Sequence, residues 1–155
     1  MRTQELAGFP LFRELKLEQL AYLAPMFSPV TFKGGETIFT QGHRAETVYV
    51  LEKGSVALQF QPEDGEQLTV ATLRQGAVLG WSAVLGRLYY TSSAICLAPT
   101  RAITIPGEKL RALVRTKPEL SFLLGRMALT VSNRQAGALA QIIGLINQEI
   151  NHSAT

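Results

Sequence analysis

The chain has a single cysteine, Cys96, and only two histidines, His43 and His152. A lone thiol closes no internal disulfide, and without a cysteine cluster there is no thiolate zinc or iron–sulfur site. Cys96 lies in an apolar run and is expected to pack as a small apolar side chain. His43 sits in the turn "QGHRAE" and His152 near the end of the chain. They cannot supply the clustered histidines of a metal-carrying β-roll enzyme, and His43 reads as a solvated turn residue. Ser82 and Ser93 lack a histidine base and a third group to orient one. "EDGE" at 63–66 carries the Asp-Gly signature of a hairpin turn rather than a pair of working carboxylates. Metal, nucleophilic and acid–base catalysis are all short of parts, so an enzyme is not expected.

Charge is also scarce. Charged residues make up 17%, and the net charge of +3 is spread from Arg2 to Arg134 without forming a basic stripe, a poor footprint for nucleic acid. No apolar run reaches the length of a membrane span, and "MRTQELAGFPLF" lacks the apolar core and cleavage site of a secretory leader. A cytoplasmic protein with no membrane partner is expected. What is abundant is apolar residues, 46% of 155, enough for one compact domain over 1–150 with "NHSAT" (151–155) as a short tail.

Within that domain the hydrophobic period changes twice. In "PLFRELKLEQLAYLA", Leu11, Leu15, Leu20, Leu23 and Ala24 stand near helical spacing, which predicts one short amphipathic helix in a helical segment over 1–28, stopped by Pro25 and Pro29. From 29 to 106 short alternating runs separated by glycine turns predict strands near 30–33, 36–40, 47–52, 55–61, 67–73, 77–79, 91–97 and 100–105. Such a series makes a sandwich, roll or barrel. From 107 to 150 the pattern is helical again. Pro106 and Glu108 open one helix, and Pro118 opens a second that runs by periodicity to about Ile150. Along it, Leu124, Ala128, Val131, Gln135, Ala138, Ile142 and Leu145 alternate steps of four and three, a coiled-coil seam that predicts a homodimer through residues 120–150.

Three stretches resemble the cyclic-nucleotide-binding domain, the effector module of the catabolite activator and FNR regulators and of protein kinase A regulatory subunits. "LFRELKLEQLAYLA" is similar to the family's opening helix. "FKGGETIFTQGHRAETVYVLEKGSVAL" matches its glycine-punctuated β-roll at Gly35, Ile38, Gln41, Gly42, Tyr49, Val50, Gly54 and Val56. "GWSAVLGRLYYTSSA", residues 80–94, aligns with the phosphate-binding cassette, approximately Phe-Gly-Glu-x-Ala-Leu-Leu followed by Arg-x-Ala. The resemblance implies a mainly β fold, a β-roll (double-stranded β-helix) with an N-terminal helix and a long C-terminal helix, and a non-enzymatic ligand-sensing regulatory role. It also implies a pocket formed by Val78, Leu79, Gly80, Trp81, Ser82, Ala83 and Val84, by Tyr90, Thr91 and Ser92, and by Arg134 and Gln135 of the long helix.

The cassette departs from the family at both charged positions. Trp81 stands where the family glutamate accepts the ribose 2′-hydroxyl, and indole donates a hydrogen bond but accepts none. Tyr90 aligns with the arginine that neutralises the cyclic phosphate, and a phenol is no two-pronged cation. Losing each charge-assisted contact costs about 1.5–3 kcal/mol, so the pair is worth orders of magnitude in affinity. Three outcomes stay open: a residual cyclic nucleotide (cAMP or cGMP), a different small anionic or aromatic ligand, or no ligand, with Trp81 and Tyr90 filling the cavity. A helical turn at 80–84 would still offer backbone N–H groups to an anion, and Arg134 could replace the missing cation. The chain ends within about five residues of the long helix, so direct DNA binding through a following helix-turn-helix is not expected. The alternatives are a protein-interaction and dimerisation module with its own protein partner, or the sensor part of a larger regulator.

Overall fold

The computed structural model describes residues 1–131. Eight antiparallel strands form two four-stranded sheets: β1 (Ser28–Phe32), β8 (Thr100–Pro106), β3 (Thr47–Lys53) and β6 (Val78–Leu79) in one, and β2 (Thr37–Phe39), β7 (Ser93–Cys96), β4 (Val56–Phe60) and β5 (Leu68–Leu73) in the other, each in that spatial order. All eight predicted strands are present. The helices are α1 (Thr3–Ala7), α2 (Leu17–Leu23), α3 (Trp81–Val84), α4 (Gly107–Thr116) and α5, described over 121–131. The chain is thus a mainly β roll with flanking helices.

Strand periodicity sorts the side chains into two cores. Along β3, Val48 and Val50 face the helices while Leu51 faces the roll interior; Val78 and Leu79 of β6 divide the same way, as do Ile103 and Ile105 against Ala102 of β8. The sheet containing β3 is therefore covered on both faces, which is why "TVYVL" is apolar at both parities. The helix-side core also holds Leu6, Phe12, Leu20, Leu23, Phe27, Leu110, Leu113 and, from α5, Leu123, Met127 and Val131. Pro29 sits on β1, an edge strand where its missing N–H costs no ladder bond.

The N-terminal segment differs from its prediction. A helix α1 precedes the predicted one, and "PLFRELKLEQLAYLA" is broken into a 3-10 turn, Pro10–Phe12, and α2. The five-residue step from Leu15 to Leu20 is too long for one helical face. The chain restarts at Lys16, whose backbone N–H donates to Gln19 Oε1 at 2.9 Å. Pro25 lies inside a second 3-10 turn, Ala24–Met26, directly after α2.

The predicted dimer seam is only partly described. Val131 is buried at 2% exposure in its own helix-side core, so this seam position is already used within one chain. Leu124 and Ala128 are half-buried, whereas Phe122 and Leu129 on the same helix are exposed. Gln135, Ala138, Ile142 and Leu145 lie outside the described residues, as do the predicted helix end and the tail.

Candidate functional site

The cassette begins at Gly80, which leaves β6 in the left-handed region (φ 79°, ψ 30°) and turns the chain into α3. The single predicted helical turn is present, with the Ala83 N–H donating to the Gly80 carbonyl at 3.0 Å. Ser82, Ala83 and Val84 are buried, and the loop that follows exposes Leu85, Leu88 and Tyr89. Segment 88–90 is tied to the β2–β3 turn by three backbone bonds: Ala45 N–H to Leu88 O, Tyr90 N–H to His43 O, and Gly42 N–H to Tyr90 O, each 2.9 Å.

This tie drives the Tyr90 side chain inward. Its ring stacks on Phe39, centroids 4.1 Å apart and 15° from parallel, and Phe39 in turn meets Tyr49 at 6.0 Å. The Tyr90 hydroxyl donates to the Thr47 carbonyl at 2.7 Å and accepts from the Thr47 N–H at 3.1 Å. Burial pushes the Tyr90 phenol above its ordinary range, so it is a neutral donor and acceptor. Of the two aromatic residues expected to border the pocket, Tyr90 packs in the roll interior, while Trp81 is half-buried against the helix-side core.

The remaining predicted residues are placed as follows. Val78 and Leu79 are fully buried in different cores, Thr91 is exposed and Ser92 half-buried. Ser93 is buried and its hydroxyl accepts the Gln41 N–H at 2.8 Å. Gln41 itself brackets the start of the next hairpin loop, donating from Nε2 to Gln61 O at 3.0 Å and accepting the Gln61 N–H at 2.9 Å. Arg134 and Gln135 lie outside the described residues. Cys96 is buried in the roll, His43 is exposed in its turn, and the described residues contain no cluster suited to a metal ion. No helix among them is long and apolar enough to cross a membrane.

Sequence reading missed two positions. Thr47 anchors Tyr90 through backbone atoms alone, which no residue-type signal reveals. Arg111 of α4 donates from Nη1 to the carbonyls of Ala83 and Val84, closing the C-terminal end of α3. Gly107, at the start of the same helix, lets the Ala83 carbonyl come within 2.3 Å of where a Cβ would stand. Both features lock the cassette turn to α4.

A roll of two four-stranded sheets with a short helical turn after the sixth strand, flanked by helices, has the architecture of a cyclic-nucleotide-binding domain. The family model for the cyclic nucleotide-binding domain matches residues 29–117, from β1 to the end of α4, and the chain belongs to that family. It is similar to the global nitrogen regulator of Nostoc sp. (strain PCC 7120 / SAG 25.82 / UTEX 2576), 38% identical over 131 residues that cover 80% of this chain and 54% of the relative. It is also similar to the CRP-like cAMP-activated global transcriptional regulator of Mycobacterium tuberculosis, 25% identical over 138 residues, 89% of this chain and 62% of that one. Among solved structures, a putative cyclic nucleotide-binding protein from Geobacter metallireducens GS-15 superposes with a TM-score of 0.73 at 26% identity, covering 87% of this chain and 98% of the other. The chain spans about half the length of the global nitrogen regulators it matches.

Proposed function

We propose that this chain is a non-enzymatic, ligand-sensing regulatory domain of the cyclic-nucleotide-binding type whose ligand is not read through ribose and phosphate in the family manner. The observation that carries this reading is the charge content of the cassette. From Val78 to Ser93 there is no carboxylate and a single cation, Arg87, which lies on the outer side toward α4. Whether the family arginine falls on Tyr90 or, counted back from the fully buried Ala94, on Ser92, no guanidinium stands there. From the cassette itself a cyclic phosphate would receive hydroxyls and backbone N–H groups, each a weaker partner than a bidentate cation.

Calorimetry with cyclic AMP and cyclic GMP tests this. Dissociation constants weaker than about 10 µM, corresponding to about −7 kcal/mol, are expected for both. Tighter binding to either would mean that another cation completes the site, and the Arg134→Ala variant would then show whether it comes from the long helix.

A second reading, a ligand-free interaction module, is favoured by the stacked Phe39 and Tyr90, which occupy the roll interior beside the cassette. Both readings include a homodimer through residues 120–150, supported by exposed Phe122 and Leu129 on α5. Light scattering is expected to give twice the chain mass of 16.9 kDa. A concentration-independent mass of one chain at micromolar protein rejects the dimer.

A further inference from the structure

Beside the cassette, a cleft of about 450 Å³ opens between the cassette loop, the β2–β3 turn and the start of α4. That volume is in the range of small-molecule sites. Three arginines from three separate elements line it: Arg44 of the turn, Arg87 of the cassette loop and Arg111 of α4. Two carboxylates, Glu46 and Glu108, share the wall, leaving the cleft one positive charge in excess. The pairing is uneven. Arg44 meets Glu46 at 3.8 Å, both largely exposed, whereas neither Arg87 nor Arg111 has a carboxylate partner among the described residues. Arg111 spends one nitrogen on the α3 carbonyls and keeps its other donors. Gly86 sets the cassette loop against Arg111: a Cβ there would stand 3.6 Å from Arg111 Nη1, and Arg87 is the next residue of that loop.

Two guanidiniums lining one cleft, neither ion-paired among the described residues, raise its positive potential, and an oxyanion between them would accept hydrogen bonds from both. We propose that this cleft is an anion site, distinct from the inner face of the cassette, that binds a small phosphorylated metabolite free in solution. Such a ligand, bridging Arg87 and Arg111, would also fasten the cassette loop to α4, because Arg111 already holds the carbonyl end of α3. The site is independent of the nucleotide reading: none of Tyr90, Thr91 or Ser92 lines it.

The test is a titration of the isotopically labelled chain with inorganic pyrophosphate at constant ionic strength, followed through backbone amide shifts. Saturable shifts are expected at 44–46, 83–88 and 108–111, with half-saturation below about 1 mM. The exposed substitution Arg87→Gln should raise that value about tenfold or more, whereas Arg74→Gln, the same charge change on a distant turn, should leave it in place. The proposal is overturned by the absence of saturation up to about 10 mM, by an equal response in Arg87→Gln, or by shifts confined to 79–82 and 91–93. That last pattern would put the anion on the inner face and bear on the sensor reading instead.

Discussion

Replacing Gly80 by alanine is expected to destabilise the domain by about 2–4 kcal/mol, read as a lowered urea midpoint with unchanged slope. Two costs combine. Gly80 has φ 79°, where a Cβ collides with its own backbone at about 1–2 kcal/mol. In addition that Cβ would lie 2.5 Å from the Thr47 carbonyl oxygen and 3.3 Å from Cε1 of Tyr90. The carbonyl cannot retreat freely, because it belongs to β3 and accepts the Tyr90 hydroxyl. Gly76 supplies the comparison: it also has positive φ, 87°, but a Cβ there meets nothing within 4 Å. Gly76→Ala should therefore show the backbone cost alone, about 1–2 kcal/mol. Equal losses for the two variants would show that β3 and Tyr90 yield easily at the cassette, against the tight anchoring described above.

The strands were legible because short apolar and β-branched runs are divided by turns that carry glycine where φ is positive, as at Gly35, Gly42, Gly54 and Gly76. The cassette turn was legible from Gly80 and its position after a strand. The direction taken by each side chain of the cassette was not. Trp81 and Tyr90 are both large and aromatic, and composition gives no reason to part them. They are parted by the backbone tie of 88–90 to the β2–β3 turn, a long-range pairing with no residue-type signature. The N-terminal helix was misread for a related cause: Leu11, Leu15, Leu20 and Leu23 are all buried, as a helical face requires, but they reach the core from the 3-10 turn, from the segment after it and from α2. Arg111 carries no signal of its own in the sequence. Its role depends on the closeness of α3, which Gly107 allows and which only the packed structure reveals.

Tyr90 is where fold and function meet, and truncating it should have the largest effect of any single change at the site. Tyr90→Ala is expected to cost about 3–5 kcal/mol, the range for removing a buried aromatic side chain. Tyr90→Phe keeps the stack on Phe39 and loses only the hydroxyl, but that hydroxyl serves both the N–H and the carbonyl of Thr47. Leaving two backbone groups short of a partner costs about 1–3 kcal/mol. Denaturant unfolding of the three proteins gives both numbers. The same variants separate a filled roll from a ligand-holding one. If Tyr90 merely plugs an apolar interior, Tyr90→Ala leaves a cavity walled by Phe39, Leu79 and their neighbours, and such cavities take up small aromatic molecules. Indole should then raise the melting temperature of Tyr90→Ala and leave the parent unchanged, since a ligand stabilises only the folded state that binds it. A shift in the parent itself would show that the roll opens beside an intact Tyr90. In that case the stacked pair is a gate to an aromatic ligand rather than its substitute, and the sensor reading gains over the ligand-free module.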